Sequence, residues 1–254
     1  LKAERFIAVG DGFSDVGQTG PRYTVNDGTF NWLQQLASYY GLTVEPASAG
    51  GWGYAQGHAR VDSPDPDGAP SVKEQIDQLL ADTTLDPKKD VVFVSGGMND
   101  IVAAVEATGL TGATEATIEV AAKAMAGQLR RIVDNGARHV VVVGVHNICR
   151  TPWGYAKGIE ADYEKCTPAW TFNRELLAAI SDMGATTLYF DTALFYNLIS
   201  SRPGDYPVDN ATEAVCTTPD ASTCTPSTVK VENYNRYLFA DDLHFTPAMQ
   251  RAFV

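Results

Sequence analysis

The chain has 254 residues, enough for one large α/β domain or two small ones with a sizeable core. Hydrophobic residues make up 44% and charged residues 20%, as in ordinary globular proteins, and the longest apolar run, Val140–Val145, is too short to span a membrane. A formal net charge of −12 without any basic run argues against nucleic acid or another polyanion as partner.

Apolar runs and amphipathic segments alternate along the chain. The apolar runs predict four strands: Phe6–Val9, Val91–Val94, His139–Val145 and Thr187–Phe190. The amphipathic segments predict six helices: Asn31–Tyr40, Val72–Ala81, Glu115–Asn135, Pro168–Asp182, Ala193–Ser200 and Pro247–Phe253. This alternation predicts a parallel sheet covered by helices on both faces. Because no repeat or interdomain linker is visible, we expect a single domain over residues 1–254.

Two long segments outside these elements carry no readable pattern: Pro46–Ser71 and Ser201–Asn235. Loops longer than about 15 residues in a compact domain are usually functional. The acidic stretch Ser63–Gly68 approaches a calcium-loop pattern, but its prolines stiffen it unsuitably. Ser71 with Glu74 forms a better capping box for the next helix, so we predict a capped helix there and no metal site.

Four cysteines fall into two pairs that are close in sequence, Cys149 with Cys166 and Cys216 with Cys224. The spacing of a CxxC metal site is absent and the four histidines are scattered, which argues against zinc. We predict two disulfides, with free thiols as the alternative. Disulfides in turn predict a periplasmic or secreted protein.

The first predicted strand runs into a polar turn, Gly10–Gly17, which allows more than one interpretation. A dinucleotide-binding loop would need a third glycine and would place Asp11 and Asp15 against a pyrophosphate, so we expect no such cofactor. A nucleophile elbow of the form G-x-S-x-G would make Ser14 the nucleophile, but its last glycine is missing. The plainer alternative for Ser14 is a hydroxyl that stabilises the turn.

The third interpretation of this turn is a family resemblance. Residues Phe6–Gln18, FIAVGDGFSDVGQ, resemble the first sequence block of the GDSL (SGNH) lipase/esterase family, which typically reads FGDSxSDxG. In that family the serine of Gly-Asp-Ser is the nucleophile, and the matching position here is Gly12.

Three further blocks follow in the family's order. Gly53–Val61, GYAQGHARV, resembles N-(Y/F)-A-x-G-G-A-R, with Gly53 in place of the Asn and His58 in place of the second glycine. Gly97–Asp100 matches G-x-N-D, and Asp241–His244 matches the D-x-x-H near the carboxyl terminus. The resemblance therefore covers nearly the whole chain and implies a flavodoxin-like three-layer α/β/α sandwich with a mostly parallel sheet and a shallow, open active site.

The resemblance also implies a set of catalytic residues. His244 would be the general base, oriented by Asp241, although the neighbouring Asp242 competes for that role. Three groups would hold the oxyanion: the backbone N–H groups of Gly12 and Gly57 and the side-chain amide of Asn99. Two of these residues have a structural alternative, since Gly57 could merely bend its loop and Asn99 could cap a helix.

Several side chains near the implied site are candidates for contacting the substrate: Asp11, Trp52, Tyr54, Met98 and Trp153. A pocket lined by aromatic residues suits an acyl group or an aromatic alcohol. Aromatic residues in irregular segments also commonly pack beneath loops, which is the alternative for the three aromatic residues.

Glycine has no nucleophile, so Gly12 excludes covalent catalysis in this chain as it stands. The other implied catalytic residues are present, which favours an engineered Ser→Gly change over a natural pseudoenzyme. The space left by the missing side chain could also admit water for attack assisted by His244. We predict a carboxylic-ester hydrolase in a nucleophile-deficient form. The alternatives are an acyltransferase of the same family and a non-catalytic binder of esters or acylated glycans.

Overall fold

The computed structural model describes residues 2–159 and 167–254. Its main sheet has four parallel strands in the order β1–β2–β3–β4: β1 (Arg5–Val9), β2 (Asp90–Val94), β3 (Val140–Val143) and β4 (Thr187–Phe190). All four predicted strands are confirmed, but β3 is shorter than predicted. The reason is Asn173, whose side-chain amide exchanges two hydrogen bonds with the backbone of Val145 and so takes the place of a neighbouring strand.

Eight α-helices lie in the described ranges: α1 (Trp32–Tyr39), α2 (Val72–Asp82), α3 (Met98–Thr108), α4 (Gly112–Asp134), α5 (Pro152–Lys157), α6 (Pro168–Ala179), α7 (Thr192–Ser201) and α8 (Pro247–Ala252). The six predicted helices are confirmed within a few residues. The helices α3 and α5 were not predicted. The segment predicted as one helix to Asp182 is α6 followed by a separate 3₁₀ turn at Ser181–Met183.

Local signals account for the ends of two of these helices. Ser71 is the N-cap of α2: its hydroxyl accepts the Glu74 N–H, and the Glu74 carboxylate accepts the Ser71 N–H at 2.8 Å, as the predicted capping box requires. The long helix α4 ends at Asp134, and Gly136 follows with a φ of +111°, which glycine adopts without strain.

The side chains of the sheet alternate between two hydrophobic cores. Ile7 and Val92 face the core under α2, α3, α4 and α6, whereas Phe6 and Phe93 face the core under α1, α7 and α8. Helices therefore cover both faces of a parallel sheet, and the predicted three-layer α/β/α class is confirmed.

A small second sheet lies in the carboxyl-terminal third, where β5 (Asn210–Ala214) pairs in parallel with β6 (Tyr237–Phe239). A disulfide closes the loop between Cys216 and Cys224, as predicted. We call residues 216–224 the disulfide loop. The predicted partner of Cys149 is Cys166, which lies outside the described residues, so that pair stays a prediction. No helix in the described part of the chain is long and apolar enough to cross a membrane.

Candidate active site

The turn after β1 places Gly12 opposite the imidazole of His244. A Cβ atom built on Gly12 would lie 2.8 Å from His244 Nε2, and nothing else among the described residues forms a hydrogen bond with this buried nitrogen. The φ of Gly12 is outside the left-handed region, so its backbone accepts an L side chain. A side chain at position 12 would thus point at the free nitrogen of His244.

His244 is held by Asp241 on its other side. The Nδ1 atom lies 2.8 Å from Asp241 Oδ2, and the two side chains are 10% and 6% exposed. The carboxylate also accepts three backbone N–H groups, from Ala221 at 2.8 Å, Leu243 at 2.9 Å and His244 itself at 2.7 Å. The structure therefore brings Asp241 against the imidazole, while the side chain of Asp242 lies exposed at the surface.

His244 and Asp241 shift the pKa values of each other's side chains. Burial by itself lowers the pKa of His244, but the charge of Asp241 and the hydrogen bond to it outweigh burial and raise that pKa above its ordinary value. Burial likewise acts to raise the pKa of Asp241, yet His244 and the backbone donors hold it below its usual range. Asp241 is thus poised to stay ionised and to stabilise an imidazolium at His244.

The ring of Tyr23 covers the position that a nucleophile would occupy. Its centroid lies 5.0 Å from that of His244 and 5.4 Å from that of His58. A Cβ on Gly12 would come within 3.0 Å of Tyr23 Cγ, so the ring and the imidazole together fill the space beside Gly12. The ring of Tyr23 therefore occupies the space beside Gly12 in which a water was expected.

Gly57 lies beneath the same ring. A Cβ on Gly57 would be 1.8 Å from Tyr23 Cζ, so a side chain there would collide with the phenol. The backbone N–H of Gly57 donates to Asp15 Oδ2 at 2.9 Å. In this structure the predicted oxyanion donor thus already has a buried carboxylate as acceptor, and packing against Tyr23 explains why glycine is required.

Asn99 lies in the first turn of α3 and does not cap it, because the N-cap is Gly97, which makes no side-chain cap. Its amide nitrogen donates to the carbonyl of Ala59 at 2.9 Å, which ties the helix to the loop that holds Gly57. One amide hydrogen remains for another acceptor. The adjacent Asp100 accepts the Val61 N–H at 3.0 Å, and burial raises its pKa to about 6.

Two further predicted residues lie beneath His244. Asp11 is buried and accepts the Ser95 hydroxyl at 3.1 Å and the Phe13 N–H at 3.2 Å; burial raises its pKa. Asp11 and Met98 line, together with His146, a cavity of about 20 Å³ next to His244, which has room for about one water. Both residues are therefore buried beside His244, inside the protein.

The predicted aromatic residues have packing roles in this structure. Trp52 stacks under the guanidinium of Arg5 at 4.4 Å, and the hydroxyl of the buried Tyr54 donates to Asp82 at 2.9 Å. Both flank the amino-terminal half of the sheet, away from Gly12, because the segment that carries them runs beside β1. Trp153 is buried next to the loop of Asp242. Its backbone N–H donates to the Asp242 carbonyl at 3.1 Å.

Sequence reasoning missed some residues at the site. Tyr23 and His146 gave no sequence signal, since neither belongs to a motif. Burial, with the nearby charge of His244 in the same direction, lowers the pKa of His146 to about 3, so it stays neutral.

Ser14 is fully buried without a hydrogen-bond partner for its hydroxyl among the described residues. No three His, Cys, Asp or Glu side chains of the described part lie close enough together to hold a metal.

The fold and the site define an α/β protein with a histidine–carboxylate pair at the carboxyl edge of a parallel sheet, where such folds carry their chemistry. The family profile of the GDSL-like lipases/acylhydrolases matches residues 6–254, and the chain belongs to this family. The resemblance stated from the four sequence blocks is thereby confirmed.

Solved structures share this fold. Phospholipase A1 from Streptomyces albidoflavus NA297 is 19% identical and superposes with a TM-score of 0.53 over 98% of this chain and 94% of that chain. The native aryl esterase of M. smegmatis is 17% identical, with a TM-score of 0.50 over 99% of this chain and 94% of that chain. No curated protein matches the sequence. The family is that of GDSL-like lipases and acylhydrolases, which supports a hydrolase.

Proposed function

We propose that this chain is a carboxylic-ester hydrolase whose serine nucleophile has been replaced by glycine at position 12. The observation that supports this most directly is the orientation of His244. Its free nitrogen lies 2.8 Å from where a Cβ of residue 12 would be, while its other nitrogen is held by a buried carboxylate. Once His244 withdraws enough to leave room for a hydroxyl, a serine at position 12 would complete the series of serine, histidine and aspartate that acyl transfer uses.

In the proposed reaction, the hydroxyl of a serine at position 12 attacks the ester carbonyl and His244 accepts its proton. The new bond joins the serine oxygen to the carbonyl carbon, and the alcohol leaves with the proton that His244 returns. Water then attacks the acyl carbon and gives a proton to His244, the bond to the serine oxygen breaks, and His244 returns the proton to that oxygen as the acid leaves. The N–H of residue 12 and the amide of Asn99 are proposed donors to the oxyanion, and the loop of Gly57 supplies a third.

The test is the substitution Gly12→Ser, with Gly12→Ala as the matched control. Both add a Cβ, so in both His244 and Tyr23 must withdraw by a few tenths of an ångström. Only Gly12→Ser adds a nucleophile, and it should hydrolyse p-nitrophenyl esters at least about 10³-fold faster than Gly12→Ala, since serine loss in a hydrolase costs about 10⁶ in kcat. A fluorophosphonate should label Ser at this position and nothing in the control.

Equal rates for the folded Ser and Ala variants would contradict the proposal. If, in addition, Ser14→Ala lowered a residual activity of the starting chain, Ser14 would be the nucleophile instead. A non-catalytic ester binder is the second candidate, favoured by Gly12 itself. It predicts that the starting chain binds an ester and that Gly12→Ser leaves hydrolysis unchanged.

We also propose that the protein works in an oxidising compartment, secreted or periplasmic. The disulfide between Cys216 and Cys224 supports this, because such bonds are rare in the reducing cytosol.

A further inference from the structure

His58 has an unusual backbone conformation. Its φ is +66°, and within the described part of the chain it is the only residue other than glycine in the left-handed region. Residues with a Cβ adopt this conformation at a cost in energy, and such outliers persist only when their surroundings impose them. The question is what imposes it here.

The side chain of His58 is bound by Asp220. The Nε2 atom lies 2.8 Å from Asp220 Oδ2, and this hydrogen bond raises the pKa of His58 and lowers that of Asp220. The two side chains are 38% and 32% exposed, so the pair lies at the edge of the site. It joins the loop after Gly57 to the disulfide loop.

The disulfide loop is itself firmly held. The side-chain amide of Asn26 donates to the carbonyls of Ala221 at 3.2 Å and of Cys224 at 3.2 Å, and Ala221 and Cys224 are fully buried. Asp220 also caps its own turn, since its Oδ1 accepts the Ser222 N–H at 2.7 Å. The same loop offers the N–H of Ala221 to Asp241, so it contacts both the triad acid and the loop of His58.

The backbone N–H of His58 is available as an oxyanion donor, whereas that of Gly57 is not. The Gly57 N–H is taken by Asp15, whereas no described residue accepts a hydrogen bond from the N–H of His58 or of Gly12. The next residue, Ala59, receives the amide of Asn99 through its carbonyl. A free N–H at His58 therefore lies one residue from the contact of Asn99, on the loop that the family sequence assigns to the oxyanion hole.

We propose that Asp220 is a positioning residue: by binding the His58 side chain it keeps His58 left-handed, so that the backbone N–H of His58, rather than that of Gly57, donates to the oxyanion. This rests on the proposed hydrolase function. The imidazole of His58 serves to fix the backbone and takes no proton in the reaction.

The test is a double-mutant cycle in the Gly12→Ser chain. Asp220→Ala should lower kcat for a p-nitrophenyl ester about 10- to 100-fold with little change in KM, because losing an oxyanion donor slows the chemical step. In the His58→Gly chain the clamp has no side chain to hold, and glycine adopts the left-handed conformation by itself. Asp220→Ala should then have no further effect in the His58→Gly chain. Asp62→Ala, an exposed acid on the same loop, is the control and should change nothing.

An equal loss of kcat from Asp220→Ala in the His58 and His58→Gly chains overturns the proposal. The same cycle is measured by thermal unfolding of the starting Gly12 chain, where no activity is needed. There, Asp220→Ala should lower Tm more with His58 present than with His58→Gly, and equal shifts overturn the proposal. An inactive Gly12→Ser chain would refute the hydrolase function and leave this unfolding cycle to decide on the clamp.

Discussion

At the scale of single residues, the site is a set of buried polar groups that constrain one another. His244 is held by a carboxylate at Nδ1, while its Nε2 faces Gly12 and has no hydrogen-bond partner among the described residues. Asp241 has a full set of donors, which keeps it ionised although it is buried. In the proposed hydrolase, His244 and Asp241 would move the proton, and Gly12 lacks the group that would give up that proton.

The pH dependence of the Gly12→Ser chain tests this pair. His244 accepts a proton only when it is neutral, so kcat/KM should rise with pH through the pKa of His244. Because Asp241 raises that pKa, the midpoint should lie above about 6.5, the ordinary value for histidine. Asp241→Asn removes the charge, so the midpoint should move to lower pH and kcat should fall roughly 10²- to 10⁴-fold.

The control for this prediction is Asp242→Asn, which removes the neighbouring exposed carboxylate. Rate–pH profiles of the three chains, measured with one p-nitrophenyl ester, give the comparison. If Asp242→Asn shifted the midpoint as far as Asp241→Asn, the acid would be wrongly assigned.

At the scale of elements, caps and turns fix where the helices around the site begin. Ser71 sets the start of α2, and α2 in turn supplies Gln75, whose side-chain amide donates to the Gly10 carbonyl and accepts the Gly10 N–H. The cap is therefore linked, through α2 and Gln75, to the turn that carries Gly12.

Ser71→Ala should lower the free energy of unfolding by about 1 kcal/mol, because it removes the side chain that accepts the Glu74 N–H. Thr43→Ala is the matched control, since Thr43 is exposed and caps no helix. Urea unfolding followed by circular dichroism measures both. An effect no larger than that of the control would show that the capping box does not stabilise α2.

At the scale of the whole molecule, stability comes from the two cores on either side of the sheet. Leu129 of α4 is fully buried in one of them, whereas Leu194 of α7 is 59% exposed. Leu129→Ala should lower the free energy of unfolding by about 2–5 kcal/mol, through lost burial and the cavity left behind.

Leu194→Ala is the matched substitution at the surface and should cost less than about 0.5 kcal/mol. Equilibrium denaturation of both variants checks the difference. Similar losses from the two would mean that the core under α4 contributes less than its burial indicates.

Prediction from sequence succeeded where structure depends on neighbours in the chain. The alternating apolar runs gave all four strands of the main sheet, and Ser71 with Glu74 gave the start of α2. It failed for α3 and α5. The helix α3 begins at a glycine without a side-chain cap, and α5 has only 6 residues, so neither offers a strong local signal.

The sequence by itself determined the family, the three-layer class and the identity of the residues in the four blocks, because motif and periodicity are local properties. Only the tertiary structure decided which groups are free to act. It placed Tyr23 over Gly12, gave the N–H of Gly57 to Asp15, and joined His58 to Asp220, which is 162 positions away in the chain. Hydrogen-bond partners and packed rings of this kind depend on how distant loops meet, and no local pattern encodes that meeting.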